Sequence, residues 1–250
     1  MEHSPVVKGE KAQWYAKNYY TVEDDIQNIF ERMDTPFLDK RIKPDMTILD
    51  AMMGRGRHAI RYAKRGCVVH GNDLNPHMVA IARKSARAMR LNSRRITFSA
   101  LDARHLKGIK KNHYDVSFAM FSAIGTVPDS KNRQMIFDAM ARCTKKSGIV
   151  IVHAHNRLDT FFKAGFMSWA WRTTLFPERN LETGDMIADY NGLHDMFNHF
   201  YTPREFRKSF EDAGLEVIEE HYMDYATLKF ITGSLRKLKA DGFIFVGKKI

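Results

Sequence analysis

The feature that most constrains this chain is an apolar stretch that runs into a glycine-containing turn at residues 48–58, ILDAMMGRGRH. A helical pattern follows, and then a second apolar stretch that ends in Gly71, Asn72 and Asp73. This order predicts a strand, a turn, a helix and a second strand that ends in a carboxylate. Such a unit is typical of α/β folds that bind a nucleoside cofactor at the turn.

The position of Asp50 indicates which cofactor the turn accepts. Asp50 lies at the end of the first strand, where its charge would repel a pyrophosphate but would attract an ammonium or a sulfonium. The turn also fits a dinucleotide pattern through Gly54, Gly56 and Ala59, with Asp73 as the ribose acid. Asp50 and a further turn acid at Asp102 favour S-adenosylmethionine over NAD.

Length and composition indicate one folded unit. We expect a single domain over residues 1–250, because 250 residues fit one α/β core with an elaboration. The sequence has no apolar run near the ~20 residues of a membrane span, and its start lacks a signal-peptide pattern. Cys67 and Cys143 lie in predicted buried elements, which favours a reducing cytoplasm over a disulfide framework.

The charge leaves two interpretations open. A formal net charge of +11 favours an anionic partner, and RNA is the obvious one. The alternative is that the basic residues are solvated helix faces and loops. They cluster at Arg83, Lys84, Arg87, Arg90, Arg94 and Arg95, at Lys107, Lys110 and Lys111, and at Arg236, Lys237 and Lys239.

Strand and helix patterns alternate along the chain. This alternation predicts a parallel sheet with right-handed crossovers. A capping box at residues 202–205 predicts a helix that closes at Gly214. The predicted strands cover residues 47–50, 67–72, 96–98, 114–120, 148–153, 215–218 and 243–246.

Two segments are expected to cover the substrate. Residues 1–44 form an aromatic-rich helical lead, and residues 156–201 are too long for an ordinary connection. Aromatic rings can stack on a flat acceptor or contact a cationic amine, or they can form the core of the cap itself. The candidate substrate residues are Trp14, Tyr15, Tyr19, Phe121, Trp169 and Tyr190.

Several motifs together resemble the class I S-adenosylmethionine-dependent methyltransferases. The motifs lie, in the family's order and spacing, at residues 48–59, 73–78, 101–103, 114–125 and 200–206. The resemblance covers residues 47–247. It implies an α/β, Rossmann-like methyltransferase fold with a seven-stranded, mostly parallel sheet, one antiparallel strand and an aromatic-rich cap.

The resemblance also implies roles for individual residues. The turn would approach the methionine part of the cofactor, Asp50 would receive its ammonium, and Asp73 would accept both ribose hydroxyls. Leu74 and Met78 would pack on the adenine, which Asp102 and the Ala103 N–H would bind. The sequence departs from the family at Met52, where the first loop glycine is expected. The full predicted cofactor set is Asp50, Ala51, Met52, Gly54, Gly56, His58, Asp73, Leu74, Met78, Asp102, Ala103, Phe118 and Met120.

Methyl transfer needs a positioned acceptor, and it needs a base only if the acceptor must lose a proton. For each candidate histidine, a structural or pocket-lining role is favoured over a catalytic one, because the fold tolerates many acceptor chemistries. Grouped carboxylates near the fourth strand are missing from the sequence, so we expect no metal site. The candidate catalytic residues are His153, His155, His194, His199 and Tyr201.

The sequence therefore predicts a cytoplasmic methyltransferase that uses S-adenosylmethionine and releases S-adenosylhomocysteine. The expected acceptor is N or O of a small molecule. One alternative is a tRNA or rRNA methyltransferase that uses the basic surface. Another is a cofactor-binding protein without catalysis.

Overall fold

The computed structural model describes residues 24–160, 181–190 and 193–250, together with Gln13. The helices are α1 Asp24–Asp39, α2 Arg57–Lys64, α3 Pro76–Ala88, α4 Ser130–Cys143, α5 Arg157–Thr160, α6 Pro203–Asp212 and α7 Arg236–Lys239, with a 3-10 turn at Ala123–Thr126. The strands are β1 Thr47–Asp50, β2 Val68–Asn72, β3 Ile96–Ser99, β4 Tyr114–Ala119, β5 Thr144–His155, β6 Asp185–Tyr190, β7 Leu193–His199, β8 Leu215–Asp224, β9 Lys229–Ile231 and β10 Gly242–Lys249.

The main sheet has the order β3-β2-β1-β4-β5-β10-β8-β9. The first five strands are parallel, β10 is antiparallel to β5 and β8, and β9 is antiparallel to β8. The predicted mostly parallel fold is confirmed. The predicted count of seven strands with one antiparallel is wrong, because β9 adds an eighth strand and a second reversed one. This edge strand has three residues, is largely exposed and lacks the apolar alternation that marks a strand in sequence.

The insertion at residues 156–201 contains a separate two-stranded hairpin, β6 and β7. The sequence analysis assigned this segment to a cover and did not predict the hairpin. The hairpin packs against the 3-10 turn after β4, where a Cβ added at Gly125 would overlap the Asn198 amide oxygen and the His199 carbonyl oxygen. The insertion therefore reaches the carboxyl end of β4. The division into a domain, a lead and an insertion stays a prediction.

Both faces of the sheet are buried, and different helices cover them. Successive side chains of a strand point to opposite faces, so residues two apart share a face. The side of the sheet that α1 and α2 cover is called the α1 face. Its strand residues include Ile48, Val116, Phe118, Ile151 and Ile244. The side that α4 and α6 cover is called the α4 face. Its strand residues include Leu49, Ala119, Val150, Val152 and Phe245. Asp50 follows Ile48 by two residues and His153 follows Ile151 by two, so both belong to the α1 face.

Local sequence signals explain two of the helix starts. The Asn75 side chain caps α3 by accepting from the His77 N–H, and Pro76 occupies the first helical position. Thr202 and Glu205 form the predicted capping box of α6, with each side chain bound to the other's backbone N–H. Both starts lie at the edge of the sheet where the parallel strands end.

Two further observations bear on the environment of the chain. No helix among the described residues is long and apolar enough to cross a membrane. Cys67 and Cys143 are both free and buried.

Candidate active site

Asp50 ends β1 and is 3% exposed. The backbone N–H of Ala59, in the first turn of α2, donates to its carboxylate, while its Oδ2 has no hydrogen-bond partner among the described residues. Burial and the charge of Asp73 raise the pKa of Asp50 well above its usual value, and Arg57 opposes this shift. A buried carboxylate oxygen without a donor is costly, and it marks a place where a ligand can bind.

The turn after β1 needs its two glycines. Gly54 and Gly56 have φ of 56° and 80°, in the left-handed region, and a Cβ added at Gly56 would lie 3.0 Å from the Cβ of Ala82. Met52, which stands where the family has a glycine, is not among the residues with positive φ and packs partly against the α4-face core. A side chain at position 52 is therefore compatible with this turn.

Asp73 follows β2 and is held between the turn and α3. Its Oδ2 accepts from the Gly54 N–H at 2.8 Å, and its Oδ1 accepts from the Asn75 N–H at 2.8 Å. Burial raises the pKa of Asp73 despite these two hydrogen bonds. Each oxygen keeps a further lone pair, so the carboxylate is fixed in place and still able to accept two more donors.

Asn72 lies at the same edge of the sheet, and no role for it was predicted. Its buried side-chain amide donates to the carbonyl oxygens of Ala51 and Leu101 at 3.1 and 3.0 Å, and its Oδ1 accepts from the Ser99 hydroxyl at 2.7 Å. The amide thus ties together the ends of β1, β2 and β3. Its only signal in the sequence is its place directly before Asp73.

The predicted adenine residues lie along the same edge. Met78 is buried and Leu74 is 42% exposed, while Ala103 is buried in the turn after β3. Asp102 is already engaged by Arg104, whose Nε and Nη2 lie 2.9 and 2.6 Å from its Oδ2. Burial acts to raise the pKa of Asp102, but the hydrogen bonds from Arg104 outweigh it and hold the pKa below its usual value.

The carboxyl end of β4 carries the other predicted cofactor residues. Phe118 and Met120 are buried, and the His58 ring packs edge-on to Phe118 at 5.9 Å between centroids. Both ring nitrogens of His58 lack a partner among the described residues, and burial lowers its pKa well below its usual value. Phe121 and Ser122 follow with φ of 61° and 51°. Two consecutive left-handed residues other than glycine store strain at this strand end.

A second buried acid, Asp34 of α1, faces the end of β5. It is 0% exposed, and neither of its carboxylate oxygens has a hydrogen-bond partner among the described residues. Its Oδ2 lies 3.7 Å from Arg57 Nη2, and its Oδ1 lies 4.0 Å from His153 Nδ1. Burial raises the pKa of Asp34 to about 7, and Arg57 limits this shift. The sequence analysis did not single out Asp34.

His153 and His155 share one partner. The Tyr225 hydroxyl lies 2.9 Å from His153 Nε2 and 3.0 Å from His155 Nδ1. Burial lowers the pKa of both histidines, that of His155 to about 4, so both rings are neutral at physiological pH. Tyr225 was not predicted. Its hydroxyl occupies the space over Gly242, where any Cβ would overlap it.

The His199 side chain belongs to a set of paired groups that we call the Arg133 network. Tyr201 packs beside His199, and its backbone N–H donates to the His155 carbonyl oxygen at 3.0 Å. His199 bonds Asp185 Oδ1 at 2.6 Å and Glu205 Oε1 at 2.8 Å, and Tyr201 packs buried against the His199 ring. The Arg133 network consists of Arg133, Glu182, Asp185, His199 and Glu205. Tyr201 belongs to the core of the α4 face, so the structure does not bring this pair together with Asp50 or Asp34.

Glu182, Asp185 and His199 place their ligand atoms within 4.8 Å of one another, a spacing that could hold a metal. The buried guanidinium of Arg133 already supplies the positive charge there, at 2.6 Å from Glu182 and 3.8 Å from Asp185. We therefore interpret this cluster as an ion-pair network.

Several predicted residues cannot be placed. Trp14, Tyr15, Tyr19 and Trp169 lie outside the described residues, and so do the side chains of Tyr190 and His194. Phe121 is described and lies at the carboxyl end of β4.

Part of the chain is similar in sequence to known proteins. Residues 48–148 match the family model of a methyltransferase domain. A curated methyltransferase of Geobacillus sp. (strain WCH70) is 27% identical over 118 residues. That match covers 46% of this chain and 46% of the relative, so the chain spans about half the length of this relative.

Solved structures share the fold. A methyltransferase from Methanosarcina mazei, described as S-adenosylmethionine-dependent, is 20% identical, with a TM-score of 0.70 over 86% of this chain and 97% of that one. A Haloferax volcanii methyltransferase, solved in complex with the activator Trm112, is 17% identical, with a TM-score of 0.64 over 97% of this chain and 98% of that one.

Residues 48–148 thus match a methyltransferase domain, and the chain has the fold of S-adenosylmethionine-dependent methyltransferases, as its motifs predict. The cofactor of this class is S-adenosylmethionine, which confirms the choice over NAD that Asp50 favoured. The roles of the individual residues stay predictions.

Proposed function

We propose that this protein transfers a methyl group from S-adenosylmethionine to N or O of a small-molecule acceptor and releases S-adenosylhomocysteine. The observation that carries the proposal is the unpartnered Oδ2 of Asp50, buried beside a glycine turn. When bound, the cofactor supplies a methyl group already activated on a sulfonium, so the protein's own task is to bind, orient and exclude water.

The polar groups near the turn suit the zwitterionic methionine end of the cofactor. Asp50 would accept from the ammonium through its unpartnered oxygen. Arg57 has a buried Nη1 without a partner among the described residues, and it would meet the carboxylate. The carboxylate of Asp50 and the guanidinium of Arg57 each have an atom without a hydrogen-bond partner among the described residues. Their opposite charges match the ammonium and the carboxylate of an amino acid.

The nucleoside end has its own candidates. Asp73 would accept both ribose hydroxyls, because the Gly54 and Asn75 amides hold it fixed without using all of its lone pairs. Leu74 and Met78 would pack on the adenine, with the Ala103 N–H as donor. Asp102 would also accept from the adenine amino group, but with a charge that it already shares with Arg104.

The carboxyl ends of β4 and β5 are the proposed acceptor side. The hairpin of β6 and β7 packs against the turn after β4, which supports an enclosed acceptor of small size. The cytoplasm is the proposed location, and the two free buried cysteines support it.

A specific observation favours RNA as the second candidate. Six basic side chains on α3 and the loop after it are all exposed: Arg83, Lys84, Arg87, Arg90, Arg94 and Arg95. A dense basic surface of this kind can bind phosphates.

Incubation with S-adenosylmethionine that carries a tritiated methyl tests the proposal. We offer a metabolite fraction and an RNA fraction separately and expect label in the metabolites. Label in RNA that falls steeply with salt would support the second candidate. At subsaturating S-adenosylmethionine, Asp50→Asn should lower labelling roughly 30-fold, whereas Asp45→Asn, at an exposed acid just before β1, should leave it unchanged. Failure to bind both S-adenosylmethionine and S-adenosylhomocysteine would overturn the proposal.

A further inference from the structure

We propose that Asp34 takes the proton of the methyl acceptor, so that the acceptor is an N–H or O–H group and not a carboxylate. This inference rests on the proposed methyltransferase function. It assigns a catalytic role to a helix residue that lies outside every motif of the sequence.

The fold places Asp34 beside the reacting centre. Asp50 of β1 pairs in register with Phe118 of β4, and Ala119 pairs with Val152 of β5. His153, one residue further, therefore lies beside Met120 on the α1 face. Asp34 Oδ1 approaches this histidine at 4.0 Å. The acid thus lies on the face of the sheet that carries Asp50, one strand along from the predicted cofactor residues of β4.

No described residue donates a hydrogen bond to the carboxylate of Asp34. Both oxygens are buried without a hydrogen-bond partner among the described residues, and Arg57 Nη2 at 3.7 Å is beyond hydrogen-bond distance. Among the described residues, the titratable and charged groups that face Asp34 are Arg57 from α2, His153 from β5 and Tyr225 from the segment after β8. A ligand N–H or O–H would satisfy the carboxylate where the protein does not.

Asp34 is also the group in this cluster that can accept a proton at neutral pH. Burial raises the pKa of Asp34 to about 7, which suits a general base. Burial lowers the pKa of His153 well below its usual value, so its protonated form is disfavoured. The Tyr225 hydroxyl links His153 to His155, and these two histidines act as positioning residues.

The step balances with these groups alone. A bond forms between the acceptor N or O and the methyl carbon, and the carbon–sulfur bond of the donor breaks with its electron pair left on sulfur. The proton released from the acceptor goes to the Asp34 carboxylate, which later returns it to water.

The same geometry selects the acceptor. An ionised carboxylate has no proton to give, and it would be repelled by Asp34 in a buried site. Amines, phenols and alcohols would be attracted as hydrogen-bond donors.

The test compares Asp34→Asn with Glu31→Gln, which removes an exposed charge one turn earlier on the same helix. Tritiated S-adenosylmethionine is offered with benzylamine, phenol, imidazole and benzoate from pH 6 to 9. We expect label in the amine, phenol or imidazole, with a rate that rises with pH to a plateau above about pH 7. Asp34→Asn should lower the rate about 100-fold and remove this pH dependence. It should bind S-adenosylmethionine within about threefold of the wild type, and Glu31→Gln should keep the full rate.

A second measurement decides the proposal even if none of these compounds is methylated. In the complex with S-adenosylhomocysteine, the carbon-13 resonance of the Asp34 carboxyl should titrate near neutrality and shift on addition of phenol or benzylamine, but not of anisole. A resonance that titrates near pH 4, or that no probe moves, would overturn the proposal. So would preferred methylation of benzoate or a fully active Asp34→Asn enzyme. Failure to bind S-adenosylhomocysteine at all would instead refute the methyltransferase function.

Discussion

Two clusters of buried polar groups, one beside each face of the sheet, differ in how fully their charged atoms are paired. In the Arg133 network beside the α4 face, His199 bonds two carboxylates and Arg133 contacts two acids. On the α1 face, both oxygens of Asp34 and one oxygen of Asp50 have no partner among the described residues. We interpret the paired groups of the Arg133 network as structural and the open acids of the α1 face as groups kept for a ligand.

This difference has an energetic basis. A buried polar atom without a partner costs about 1–3 kcal/mol relative to a satisfied one. Open acids on the α1 face therefore lower the stability of the cofactor-free protein, and binding can recover this energy. Variants that remove one group from each face should separate stability from binding.

The largest expected effect is in the Arg133 network. Arg133→Met leaves the buried Asp185 without its cation and should lower the free energy of unfolding by about 3–5 kcal/mol. Denaturant unfolding measures this change, and the affinity for S-adenosylmethionine should stay within about twofold. Lys131→Met, at an exposed position of α4, is the matched control and should change stability little. A stable Arg133→Met protein with weakened cofactor binding would reverse our assignment of the two faces.

The pH dependence of stability should reveal Asp34. Its folded pKa of about 7 lies above the ordinary value of 3.8, so the folded state holds a proton that the unfolded state has lost between these values. The contribution of Asp34 to stability is therefore present below about pH 4 and is lost as the pH rises to about 7.

Asp34→Asn carries no charge at any pH. Its stability relative to the wild type should thus rise by at most about 4 kcal/mol between about pH 4 and pH 7 and stay constant above. Unfolding measured at several pH values tests this trend. A constant difference across that range would show that Asp34 titrates normally and is not buried as described.

Much of the α1 face could be predicted from the sequence, because its backbone signals are local. The glycine turn, Asp50 and Asp73 are set by short spacings. The capping box of Thr202 and Glu205, which starts α6 on the α4 face, is a local signal of the same kind. The edge strand β9 and the hairpin of β6 and β7 were missed, since neither shows a strong apolar alternation.

The polar contacts between distant segments could not be predicted in the same way. Asp34 meets His153 across 119 positions of the chain, and Tyr225, from the segment after β8, meets the same histidine on the same face of the sheet. Such pairs depend on tertiary packing, which leaves no spacing in the sequence. The histidines at the end of β5 were found because strand ends are predictable, whereas their partners were not.

Asp50→Asn tests whether an open acid of the α1 face serves cofactor binding. Loss of a charged hydrogen bond to the cofactor should weaken S-adenosylmethionine by about 2 kcal/mol, or roughly 30-fold, in titration calorimetry. The cofactor-free variant should be at least as stable as the wild type, because a buried carboxylate has been replaced by an uncharged amide. A large loss of stability with unchanged affinity would place Asp50 with the structural groups instead.

The smallest effect should come from Asp102, which resembles the paired groups although it lies at the cofactor edge. Its carboxylate is engaged by Arg104 and is partly exposed, so Asp102→Asn should weaken cofactor binding by no more than about 0.5 kcal/mol, near twofold. Arg104→Met is the informative partner variant, since it frees Asp102 to accept from the adenine and should keep or improve affinity. If Asp102→Asn instead weakens binding more than tenfold, the acid exchanges Arg104 for the adenine on binding. Pairing within the unliganded protein would then not by itself distinguish structural groups from functional ones.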